Sequence, residues 1–133
     1  MEPTELLPII SVFSLVTVET GGHALLRFLT GRDQLDQWRL PFFRAGHAHA
    51  GVLLVLTLVY YLYLERADLS ETWEWIGGIV LAVGVLAQSG GFFLHLGIGK
   101  PDEPSPGTTM TRAGAVLIAA ALIVLGVGLI QAL

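Results

Sequence analysis

A chain of 133 residues with 53% hydrophobic and only 14% charged side chains is too apolar for an ordinary soluble domain, in which about a quarter of residues carry charge; its mean hydropathy is +0.70. The net charge of −4 says little, because the charges crowd into the short connections; the seven basic residues, spread along the chain without a cluster, give no nucleic-acid signature. No cysteine is present, which removes disulfides, thiolate metal ligands and thiol redox chemistry.

The first apolar run covers about residues 6–29, interrupted by Pro8, Glu19 and the Gly21-Gly22-His23 cluster. Its leading flank holds Glu2 and Glu5 and no basic residue, unlike the n-region of a cleaved signal peptide, so it reads as a transmembrane helix. A polar connection follows, and the second run spans about 42–64. An acidic connector leads to the third run, about 75–99, and a Pro-rich turn to the fourth, about 108–133. Each has about 20 or more mostly apolar residues, enough to cross a hydrocarbon core of ~30 Å. The expected fold is all-α: a single-domain, integral membrane, up-and-down four-helix bundle in a lipid bilayer.

Basic residues flanking spans stay on the cytoplasmic side. Arg27, Arg32, Arg39 and Arg44 surround the first connection, Lys100 and Arg112 flank the third, and only Arg66 lies at the opposite end. This predicts a cell (inner) membrane protein with both termini outside the cytoplasm. Tyr60, Tyr61, Tyr63, Trp73 and Trp75 then read as an interfacial aromatic belt at the outer face.

The same topology gathers all four histidines at one depth. His23 lies near the cytoplasmic end of the first helix, His47 and His49 near the start of the second, and His95 near the end of the third. Ionisable residues inside a span are costly enough that a functional site is the default reading. Glu19, His23 and Arg27 follow one another at four-residue steps and share a face, with the carboxylate deepest. On the third helix Gly77, Gly84, Gln88, Gly91 and His95 fall near one line, a small-residue packing face that points Gln88 and His95 inward. His47 and His49, two residues apart, point about 200° from each other and cannot share one ligand. Small neighbours on its side favour His47 for the interior. The fourth helix, with Arg112 at its start and otherwise small and aliphatic residues, reads as scaffold.

Neutral imidazoles bind zinc, copper, iron and haem, and a neighbouring carboxylate suits zinc or non-haem iron. A bare metal ion would draw on His23, His47, His95 and Glu19. Haem b would use pairs of the four histidines, with the glycines beside them making room and Arg27, Arg44 and Arg112 facing the propionates. His49 is then a second-site or outer ligand. Gly46-His47-Ala48-His49-Ala50-Gly51-Val52-Leu53 resembles the His-x-His helix of the haem-copper oxidase catalytic subunit, and Gly22-His23 is weakly similar to the Gly-His at that family's low-spin haem ligand. The resemblance covers about ten residues and implies haem ligation by His47 and His49. The family's copper-binding histidines and cross-linked tyrosine have no counterpart here, so a dioxygen-reducing site is not implied. The chain also looks like small four-span bacterial membrane proteins with similar His-x-His helices, which implies no function.

The sequence therefore leads to a histidine-rich site near the cytoplasmic side, holding haem b or a transition-metal ion (Zn, Cu or Fe) for electron transfer, redox chemistry or sensing. Two alternatives stay open. One is a cofactor-free proton or solute transporter, with Glu19, His23, Gln88 and His95 as a polar path. The other is an accessory subunit of a larger membrane complex, or a homo-oligomer, in which the histidines satisfy local contacts. No nucleophile triad or phosphate-binding loop names a reaction.

Overall fold

The computed structural model describes all 133 residues, Met1 to Leu133. Four helices follow in chain order: α1 (Pro3–Leu29), α2 (Leu40–Leu64), α3 (Glu71–Ile98) and α4 (Pro106–Gln131). Each begins two to four residues ahead of its apolar run, because polar residues outside the run start the helix. Glu2 and Glu5 form a reciprocal cap on α1, Ser70 precedes α3, and Ser105 caps α4 with Pro106 in the first turn. All four are long and apolar enough to cross a membrane, so by length and composition the chain is a multi-pass membrane protein.

The helices are joined very unequally. α3 and α4 make by far the most extensive contact, α2 packs on α3 and α1 on α2, and α1 does not reach α4. Small residues recur at seven-residue steps on both helices, and in the middle and at the basic end of the seam Gly84 and Gly91 meet Gly107 and Gly114. Gly77, Gly84 and Gly91 of α3 are buried, as are Gly107, Gly114 and Gly128 of α4, with Ala121 completing the second series. A Cβ on Gly84 would lie 2.9 Å from the Ile118 amide nitrogen, and one on Gly91 would lie 2.5 Å from the Gly107 carbonyl oxygen. Only glycine permits that approach of backbone to backbone, which is how transmembrane helices gain dispersion contacts without a hydrophobic driving force. The glycine face of α3 expected from sequence thus exists, and α4 is its matching half rather than passive scaffold.

The core lies toward the end of the bundle opposite the basic residues, where Leu7, Leu64, Leu81, Ile118 and Leu125 surround Tyr60 and Tyr61. Both tyrosines, expected in an interfacial belt, are only 1% exposed. The Tyr60 hydroxyl donates to the Ala121 carbonyl at 3.2 Å and the Tyr61 hydroxyl to the Gly78 carbonyl at 3.3 Å, tying α2 to α4 and α3. Gly77 and Gly78 leave the space the two phenols fill. Tyr63 and Trp73 stay exposed.

Candidate functional site

At the basic end, α3 runs out just beyond His95. The Gly99 amide donates to the His95 carbonyl at 2.7 Å and the chain turns back to α4. Ser105 starts that helix: its Oγ accepts the Gly107 amide at 3.1 Å, while Thr108 Oγ1 accepts the Ser105 amide at 3.0 Å. The same Ser105 Oγ is hydrogen-bonded to His95 Nδ1 at 2.7 Å. A helix cap therefore fixes the imidazole, which is only 2% exposed. Phe42 lies over the ring with centroids 4.2 Å apart, and Trp38 meets it edge-on at 6.1 Å.

The side-chain hydrogen bond of His95 runs through Nδ1 alone, which leaves Nε2 over. The residue lines a cavity of about 640 Å³ with Trp38, Phe42, Asp102, Thr108 and Arg112. Two tautomers give two chemistries. If Nδ1 carries the proton and donates to Ser105, Nε2 offers a lone pair to a metal or haem iron; if Ser105 donates, Nε2–H is a donor to an acceptor in the cavity. Trp38, Phe42, Ser105 and Thr108 were not singled out from sequence. The sequence signal that could have found two of them is the Ser-Pro-Gly-Thr run at 105–108, a helix-start pattern.

The other histidines go elsewhere. His47 lies against α1 at Gly21 and Gly22: a Cβ on Gly21 would sit 3.2 Å from its Nδ1. His49 turns to α3, its ring 4.9 Å from Phe92 and its Nδ1 donating to the Ala45 carbonyl at 2.8 Å. The two-residue spacing does send them to different neighbours, but both are half-buried, so neither is the sole interior residue. Glu19 and His23 lie on the exposed side of α1. Arg27 forms a two-pronged pair with Asp33 of the first connection, Nε to Oδ2 2.8 Å and Nη2 to Oδ1 3.0 Å, and so secures that loop. Arg44 is exposed.

The expected ligand set of Glu19, His23, His47 and His95 is therefore not assembled, because no three His, Asp or Glu side chains are grouped to hold a metal ion. Common depth is an axial property, whereas ligation requires a common azimuth, and the four rings point to α4, α1, α3 and outward. The three helices are joined near this level by an aromatic layer instead, in which Phe28, Phe43 and Phe93 interlock edge to face across α1, α2 and α3.

A second depression, about 340 Å³, opens between α1, α2 and α3 nearer the middle of the bundle. Ser11, Ser14, Thr17, Thr57 and Ser89 line it among aliphatic residues. Each of these hydroxyls donates to a carbonyl of its own helix, for example Ser14 to Ile10 at 2.7 Å and Ser89 to Val85 at 2.6 Å, leaving only acceptor lone pairs for the groove. No protein-family model, curated protein or solved structure matches the chain.

Proposed function

We propose that this multi-pass protein is a cofactor-binding protein of the cell membrane, with its site on the cytoplasmic side at the His95 cavity and haem b as the cofactor class. One observation carries the reading: a buried imidazole held through Nδ1 by Ser105 with Nε2 left over for a cavity. Ligating histidines are oriented in this way, by a hydrogen bond on the nitrogen that does not bind. Trp38 and Phe42 offer flat apolar walls to a macrocycle, and Arg112 supplies a cation for carboxylate substituents. Only one imidazole serves the cavity, so the fit favours a haem with a free axial position, and hence sensing over electron transfer between two histidine ligands. A bare metal ion is less well served: Asp102 and Glu103 line the same cavity, but no three His, Asp or Glu side chains are grouped to hold an ion.

An absorption spectrum of the detergent-purified protein, oxidised and dithionite-reduced, with elemental analysis, tests this directly. A Soret band that disappears in His95→Ala while the helical circular dichroism persists supports it. No Soret band even after incubation with hemin, or an unchanged band in His95→Ala, overturns it. The second reading, a subunit of a larger assembly, is favoured by a separate observation: Glu19 and His23 are exposed on a membrane-spanning helix.

A further inference from the structure

The inward side of α1 is a regular seam: Leu7, Ser11, Ser14, Val18, Gly21, Leu25 and Phe28 alternate steps of four and three and are buried or half-buried. The opposite side carries an equally regular one. Ile9, Val12, Val16, Glu19, His23, Leu26 and Thr30 alternate steps of three and four, and every one of them is exposed. The 3–4 steps define one stripe along the helix, and its four aliphatic members remain 51%, 52%, 60% and 56% exposed. In heptad terms Ile9, Val16 and His23 occupy one core position, and Val12, Glu19 and Leu26 the other.

Two members of the seam do not belong in lipid. Glu19 lies ten residues before Leu29, which at 1.5 Å per residue puts it about 15 Å from that end of α1, in the middle third of a hydrocarbon core of about 30 Å. Neither Glu19 nor His23 takes part in any of the three ion pairs or in a side-chain hydrogen bond, and Arg27, one turn further on, is committed to Asp33. An ionisable side chain left facing acyl chains costs about 2.5 kcal/mol or more.

We infer that this outer face of α1 pairs with α1 of a second copy of the chain, Glu19 of each copy meeting His23 of the other. Two copies inserted the same way run α1 parallel to α1, so the two Glu19 side chains flank the two-fold axis in one layer and the two His23 side chains in the next, four residues or about 6 Å along, within reach of a carboxylate from one copy and an imidazole from the other. The acidic layer is then followed one step along by the basic layer, and carboxylate and imidazole satisfy each other out of lipid. A helix from an unrelated protein would need its own complementary pair at the same depth, whereas a second copy supplies it by symmetry.

The absence of cysteine allows a clean test in the full-length protein reconstituted alone in liposomes. Single-cysteine variants Val12→Cys, Val16→Cys and Leu26→Cys should cross-link to dimers under oxidant, while Val18→Cys and Leu25→Cys on the inward seam should not. Equal cross-linking on both faces, or none on the outer one, overturns the pairing. In nanodisc or detergent mass measurements the wild type should be dimeric, and Glu19→Leu should weaken dimerisation by about tenfold, the scale of a single interhelical polar contact in a membrane. Because that change places an apolar residue where lipid or a helix would accept it, its helical content should be kept. A monomeric wild type overturns the proposal, as does a seam that cross-links only to another protein in native membranes.

Discussion

The α3–α4 pair and α1 are both apolar helices of nearly equal length, yet one is locked and the other leans. α3 and α4 present a small residue every seventh position, and their backbones touch at Gly84, Gly91, Gly107 and Gly114. α1 has only Pro3, Leu7 and Ser11 fully buried, all in its first third, and beyond them a hydroxyl-lined groove opens toward α3. Hydrophobicity alone therefore does not decide burial in this chain. The spacing of the smallest side chains does, because between membrane helices close contact is the main attraction available.

The sharpest way to break that contrast is to place the same methyl group in both settings. Gly114→Ala puts a Cβ 2.7 Å from the Gln88 Cα and the Gly84 carbonyl oxygen, and should lower stability by about 2 kcal/mol or more, read as a fall in thermal midpoint. Gly126→Ala, with nothing within 4 Å, should be neutral or stabilise by up to about 1 kcal/mol through helix propensity. Equal effects at the two sites would sink the account of the seam. Gly91→Leu should be more damaging than either, since its side chain would drive into Thr111 and Gly107.

At the basic end, Ser105→Ala should weaken cofactor binding by about 10- to 100-fold by releasing the ring orientation, while costing about 1 kcal/mol through the lost helix cap. Titration of the apoprotein with hemin separates the two effects, and unchanged affinity would leave Ser105 as a cap alone. Tyr60→Phe should cost about 1 kcal/mol, because the Ala121 carbonyl loses one donor. The smallest effect belongs to the groove. Ser14→Ala should change stability by less than about 0.5 kcal/mol, since its hydroxyl only bonds back to Ile10 on its own helix.

Much of this arrangement was legible before any coordinates. The glycine line of α3 followed from steps of seven and four residues, and His95 at its end is buried as that line required. The partner line was equally present in Gly107, Gly114 and Gly128. It was missed because the long stretch of α4 beyond Arg112 carries no polar side chain before Gln131 and so offers no second signal to mark a face. Tyr60 and Tyr61 illustrate the opposite error: nearness to a helix end suggested an interface, but the room left by Gly77 and Gly78 draws both phenols inward.

By itself the sequence determined the number of long apolar helices, their order, and the level along its helix at which each histidine lies. Those are axial quantities, set by a rise of about 1.5 Å per residue and by which residues flank each run. Only the tertiary structure decided which neighbour each side chain meets: His95 to the cap of α4, His49 to Phe92, His47 to the glycines of α1, and Glu19 with His23 to the outside. Facing depends on how four helices divide their small-residue surfaces among themselves, and that division is a property of the whole bundle rather than of any one helix.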